Sequence, residues 1–204
     1  MALLQASHGE VRVVGLEGVA HSLTETNFEE YDFSRFLDRT INPTRFYMLL
    51  MYALIRANGL RSLVELGTYR GQTTLFFAQA ARLNGGHVWT YDNGYDKVEP
   101  AIAADRLAAH GLSSYVTFIR SHSFIPTLPE EADLVFVDAD HTFGGVSADW
   151  VAWHERVKHF MCFHDTVGSD GVRVFAETHF PRTGWEHLHS PGDSGLLVAR
   201  KVNA

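Results

Sequence analysis

From residue 61 onward the chain alternates short, almost wholly apolar runs with longer segments whose apolar residues recur every three or four positions. The first pattern marks strands buried on both faces, the second amphipathic helices. Residues 62–66 read as a strand ending in Gly67, and residues 72–83 as a helix closed by Asn84-Gly85-Gly86. A strand at 87–91 ends at Asp92; Glu99-Pro100 opens a helix that runs to His110-Gly111, and a third strand covers 115–119. A loop marked by Pro126 and Pro129 leads into a fourth strand, 134–137, followed at once by Asp138-Ala139-Asp140-His141. A helix at 145–157, a strand at 159–163 and a helix at 171–179 continue the alternation. Such alternation predicts an α/β fold: a doubly wound, mostly parallel sheet with helices on both faces.

The two ends depart from this pattern. Residues 185–189 and 196–200 are strand-like but are separated by only Ser190-Pro191-Gly192-Asp193-Ser194-Gly195, too short for a helical crossover. They are expected to pair antiparallel, giving seven strands with a reversed strand in a C-terminal hairpin. At the other end, residues 11–14 suggest a short strand, while 24–39 mix acids with aromatics. Asn42-Pro43 is a cap followed by proline at the first helical position, and Phe46, Leu49, Leu50, Ala53 and Leu54 repeat at helical spacing until Asn58-Gly59. Residues 1–41 are therefore read as an appendage, either a lid or a dimer contact, and 42–204 as one domain.

Composition narrows the classes of function. In 204 residues, 46% hydrophobic and 20% charged, there is enough apolar material for one sizeable core. Lys plus Arg number 17 against 24 Asp plus Glu, a net charge of −7, which leaves no basic face for nucleic acid and no polybasic segment for a membrane surface. A single cysteine, Cys162, allows no intrachain disulfide, and the start MALLQASHGE lacks a signal-peptide pattern, so a soluble cytoplasmic protein is expected. Twelve histidines form a surplus that only position can interpret.

The first candidate site is the turn after the first strand of the sheet. Val64-Glu65-Leu66-Gly67 turns through Gly71 into a helix, which lets backbone N–H groups approach a ligand at the helix N-terminus. Glu65 lies in a strand that should be buried, where a carboxylate needs a cationic or hydrogen-bonding partner. Asp92 closes the next strand 25 residues after Gly67, where an acid can accept from both ribose hydroxyls. Together they point to an adenosine-type ligand. The G-x-G-x-x-G dinucleotide fingerprint is incomplete, and no Tyr-x-x-x-Lys pair exists anywhere in the chain. A second constellation joins Asp138, Asp140 and His141 with His164 and Asp165 at the carboxyl ends of adjacent strands, an arrangement suited to a divalent ion or to proton transfer.

These motifs resemble the class I S-adenosylmethionine-dependent methyltransferases, which have a Rossmann-like fold. The nearer likeness is the branch that includes macrocin O-methyltransferases and cephalosporin-hydroxylase-type proteins; the likeness covers about residues 60–200. It implies that Glu65 lies beside the methionine amino group, Gly67 and Gly71 under the cofactor, and Asp92 on the ribose, with Asp138 also among the cofactor-binding residues. Ser121 stands where relatives often have glycine, and Ser121 with His122 would border the adenine. In metal-dependent relatives an acid matching Asp138 and a pair matching His164-Asp165 hold magnesium; the imidazole of His164 weakens such a site, shifts its metal preference or abolishes it. His141 matches a catalytic histidine and is expected to be the general base, with Asp138 beside it and Tyr69 and Phe143 as pocket walls. The implied activity is O-methylation of a hydroxyl on a small, natural-product-like molecule with S-adenosyl-L-methionine, with metal assistance and homo-oligomerisation left open. The alternatives are an NAD-type oxidoreductase and a catalytically idle cofactor-binding subunit.

Overall fold

The computed structural model describes residues 2–7, 10–15, 46–94, 99–192 and 194–202. Strands β1 (Ala2–Ser7) and β2 (Glu10–Gly15) pair antiparallel as a separate two-stranded sheet, β2 containing the strand expected at 11–14. Residues 16–45, which include the Asn42-Pro43 helix start, lie outside the described residues. Helix α1 (Phe46–Ala57) then leads into β3 (Ser62–Leu66), α2 (Gln72–Asn84), β4 (His87–Asp92), α3 (Glu99–Ala109) and β5 (Val116–Arg120). β6 (Ala132–Val137), α4 (Phe143–Trp153), β7 (Val157–His164), α5 (Asp170–His179), β8 (Trp185–Ser190) and β9 (Leu196–Lys201) complete the chain.

Strands β3 to β9 form one sheet in the order β5-β4-β3-β6-β7-β9-β8. β3, β4, β5, β6 and β7 pair in parallel, and β9 inserts antiparallel between β7 and β8. The expected reversed strand is thus β9. Strand alternation divides the core into two layers. Leu63, Leu134, Phe136 and Phe160 pack with α1 and α2 on one face; Val64, Leu66, Val135 and Phe163 pack against Trp150 and Trp153 of α4 and Phe175 of α5 on the other. The same alternation puts Glu65 on the α1/α2 face.

The helix expected at 145–157 is shifted toward its N-terminus, to 143–153. Thr142 caps it, its Oγ1 accepting from Gly145 N–H at 3.0 Å. At the other end, buried Val157 pairs with Ala132 and so starts β7 two residues before the expected 159. Among the described residues, no helix is long and apolar enough to cross a membrane.

Candidate functional site

The carboxyl ends of β3, β4, β6 and β7 meet at one edge of the sheet, where open α/β sheets bind ligands. The turn after β3 is fixed by close packing. Gly67 has φ +102°, and a Cβ there would stand 2.2 Å from the Asp138 carbonyl oxygen. Its N–H donates to Tyr91 O at 2.9 Å, and Asp138 N–H donates to Leu66 O at 2.8 Å, so the turn joins the ends of three strands. Gly71, at φ +69°, is the N-cap of α2; a Cβ there would stand 2.6 Å from Ala103 Cβ on α3. Gly71 has no side chain with which to cap α2, and the N-terminus of a helix after such a turn suits a ligand.

Glu65 is 1% exposed beneath this turn. Its Oε2 accepts from Thr74 Oγ1 at 2.5 Å and Thr90 Oγ1 at 2.6 Å, and Thr68 and Thr90 hydroxyls lie 2.6 Å apart. Burial pushes the Glu65 carboxyl up to about 8 against the lowering effect of the two hydroxyls, with Asp138 and Asp92 adding to the rise. The hydroxyl ladder was not identified from sequence. Its signal is the parallel register, Glu65 opposite Thr90, which places a polar residue at an inward position of a buried strand.

Asp92 Oδ1 accepts from Gly94 N–H at 2.8 Å and Oδ2 from Tyr69 N–H at 3.3 Å, tying its own loop to the β3 turn. Tyr69 and Asp165 are the two non-glycine residues with positive φ, 45° and 58°, among the described residues; both border the site, where backbone strain commonly collects. A cavity of about 260 Å³ opens beside Asp92, lined by Thr68, Thr90, Gly94, Ile119 and Arg120. It lies just below the roughly 300–1,000 Å³ of whole-ligand pockets, a size for the nucleoside part of a larger ligand. Ser121 and His122 follow Arg120: Ser121 N–H donates to Asp92 O at 3.1 Å, and the His122 ring stacks on Phe124.

The second constellation is a closed ring of four side chains. His141 Nε2 stands 3.2 Å from Asp138 Oδ1 and 3.1 Å from Asp165 Oδ2. His164 Nδ1 stands 3.0 Å from the same Asp138 oxygen and 3.5 Å from Asp165 Oδ1. Burial acts to raise the Asp138 carboxyl, but hydrogen bonds from His141 and His164 outweigh it and hold the group below its ordinary range. The hydrogen bond to Asp138 raises His141 above the ordinary imidazole value, against partial burial and with help from Asp165 and Asp140. His164 is buried against the Tyr47 ring at 4.1 Å, and its Nε2 has no hydrogen-bond partner. Asp140 is not one of the ring's four side chains; its Oδ1 accepts from Thr142 N–H at the start of α4 at 2.9 Å. Tyr69 and Phe143, the expected pocket walls, are 58% and 44% exposed.

Ligand atoms of Asp138, His141 and Asp165 lie within 4.8 Å of one another, so a metal-sized cluster exists, with His141 in the place expected for His164. Two carboxylates and an imidazole fit magnesium poorly, since it favours oxygen ligands throughout.

Residues 64–166 match the family described as "Methyltransferase domain". O-methyltransferase hkm8 of Aspergillus hancockii is 31% identical over 168 residues, an alignment that covers 79% of this chain. The chain spans about 60% of that relative's length. The S-adenosylhomocysteine-bound methyltransferase PaMTH1 of Podospora anserina superposes with a TM-score of 0.65 at 16% identity, covering 92% of this chain and 87% of that one. The O-methyltransferase TomG of Streptomyces achromogenes, involved in tomaymycin synthesis and solved with S-adenosylmethionine, gives 0.63 at 18% identity, covering 92% and 90%. Both likenesses carry the fold.

Proposed function

The chain belongs to the methyltransferase-domain family and has the fold of the class I S-adenosylmethionine-dependent methyltransferases; on that premise we propose that it methylates a hydroxyl group of a small molecule. The observation that carries this reading is the imidazole of His141 held between Asp138 and Asp165 at the same sheet edge as the Asp92 cavity.

The cofactor supplies an electrophilic methyl group when bound. The residues that would hold it are Asp92, toward the ribose hydroxyls; Ser121 and His122, along the adenine; the Gly67–Gly71 turn; and Glu65 beneath that turn, toward the methionine amino group. The cavity beside Asp92 and the glycine turn at the start of α2 support this placement.

His141 removes the acceptor's proton. Asp138 accepts from Nε2, with Asp165 Oδ2 standing 3.1 Å from the same atom, so in the neutral ring the proton is fixed on Nε2 and the lone pair is presented at Nδ1. The same carboxylates stabilise the imidazolium that forms, which is the orienting logic of a base backed by a buried acid. Alignment of the acceptor oxygen contributes an effective molarity on the order of 10⁵ M or more, and the base a further factor of about 10²–10⁴. A metal that tolerates imidazole would be held by Asp138, Asp165 and His141 through Nε2, the atom whose proton defines the base. Metal and base are alternatives at this residue, and the hydrogen bonds that His141 and His164 both make to Asp138 favour the base.

Asp92→Ala tests the cofactor reading. It removes the acceptor for the ribose hydroxyls and frees the Tyr69 and Gly94 N–H groups, so the dissociation constant for S-adenosylhomocysteine should rise by roughly tenfold or more in calorimetry, the loss of at least one charge-assisted hydrogen bond. Affinity equal to that of the wild type would refute the role.

A further inference from the structure

The approach of His141 to Asp165 joins loops that follow two different strands, and one residue bonds to both. Ser169 stands at the N-cap of α5, where a serine hydroxyl ordinarily accepts from the first turn of its own helix. Here it makes no such bond. Its Oγ donates instead to the His141 backbone carbonyl at 2.9 Å. Its N–H donates to the Asp165 carbonyl at 3.0 Å, closing the turn in which Asp165 has φ +58°. Ser169 therefore holds the main chain of both partners.

The packing of α5 on the His141 loop supports the same contact. A Cβ at Gly171 would stand 2.3 Å from the His141 carbonyl oxygen and 2.6 Å from the Phe143 nitrogen, so α5 comes this close only because position 171 carries no side chain. The turn after β7 is also held on its far side, where Val167 and Gly168 N–H both donate to Ser194 O at 2.8 Å. Asp138 is tied to the sheet through its N–H and Leu66 O. The His141 side chain is 42% exposed, so burial does not by itself fix the imidazole between these two acids.

We propose that Ser169 is a positioning residue for the general base: its hydroxyl and its N–H set the spacing of the loops after β6 and β7, so that Asp138 and Asp165 meet Nε2 of His141 and Nδ1 stays turned to the acceptor. The inference rests on the reading of His141 as the base. It goes beyond that reading by assigning the base's geometry to a residue that touches neither substrate nor cofactor.

The test compares wild type, Ser169→Ala and Ser169→Thr, all as the full chain. Long-range proton–nitrogen spectra of the histidine rings report the tautomer with no acceptor present, and the signals of His141 are those lost in His141→Ala. In alkaline buffer the wild type should show the Nε2–H form at His141, Ser169→Ala an average of the two tautomers, and Ser169→Thr, which keeps the hydroxyl, the wild-type form. Turnover on phenolic and aliphatic alcohols should fall by about tenfold in Ser169→Ala and recover in Ser169→Thr, with KM for S-adenosylmethionine unchanged, because a catalytic group displaced by about 1 Å can lose up to about 10²-fold. The melting temperature of Ser169→Ala should fall by only roughly 2–4 °C, the effect of one hydrogen bond in a chain of this size. In a His141→Ala background, Ser169→Ala should lower turnover no further. An unchanged His141 tautomer in Ser169→Ala overturns the inference, and so does an equal loss of turnover in the His141→Ala background. If His141→Ala itself leaves turnover undiminished, the base reading fails instead, while the tautomer comparison still decides whether Ser169 holds the ring.

Discussion

His141→Ala is expected to lower the turnover number by about 10²–10⁴-fold, the range that a positioned general base supplies, while leaving the affinity for S-adenosylhomocysteine unchanged. Affinity is spared because His141 belongs to the Asp138–Asp165–His164 ring and not to the Asp92 cavity. The pH profile carries the same information. Because the hydrogen bond to Asp138 raises His141 above the ordinary imidazole value, wild-type turnover should fall on the acid side as pH drops through a value above 6.5, where Nδ1 takes up its proton. In His141→Ala that acid limb should vanish. Steady-state kinetics on a panel of phenolic and aliphatic alcohols checks both, and undiminished turnover with an intact acid limb removes His141 from the mechanism.

Gly67→Ala should be strongly destabilising. Its Cβ would lie 2.2 Å from the Asp138 carbonyl oxygen and 2.7 Å from the carbonyl carbon, both backbone atoms, at a φ of +102° that alanine disfavours. The ends of β3 and β6 must separate to accommodate it, which disturbs Glu65 and Asp138 together. The expected cost is about 3 kcal/mol or more, a fall in melting temperature of roughly 6–12 °C for a chain of this size. Gly85→Ala is the matched control: its φ is +67°, but a Cβ there meets nothing within 4 Å, so only the left-handed backbone penalty applies. Thermal denaturation showing Gly67→Ala no less stable than Gly85→Ala would contradict the packing account of the turn.

Much of the fold was legible because buried parallel strands are apolar throughout and their helices are not. The strand at 62–66 coincides with β3, and the short connection after residue 190 correctly implied the antiparallel β9. Boundaries failed where a side-chain cap or one buried residue decides them, as at Thr142 and Val157. In the site, Glu65 was legible as a carboxylate in need of a partner, but its partners, Thr74 and Thr90, come from a helix and a neighbouring strand and appear only through register. The pairing of His141 with Asp165 was equally invisible, since it depends on how two loops turn after β6 and β7. Three of the described histidines stack on aromatic rings: His179 lies 4.0 Å from Phe175, His154 4.9 Å from Trp150 and His122 5.2 Å from Phe124, ring centroid to ring centroid. Composition alone cannot separate these aromatic platforms from the two imidazoles at the sheet edge.

The central claim is that the sheet edge beside Asp92 holds an adenosyl cofactor used for methyl transfer, and thermal denaturation with added ligand tests it most directly. A ligand that binds only the folded state raises the melting temperature in proportion to the logarithm of its concentration above the dissociation constant. S-adenosylhomocysteine should do so in a saturable, concentration-dependent way while NAD leaves the melting temperature unchanged; stabilisation by NAD with no response to S-adenosylhomocysteine would contradict the account.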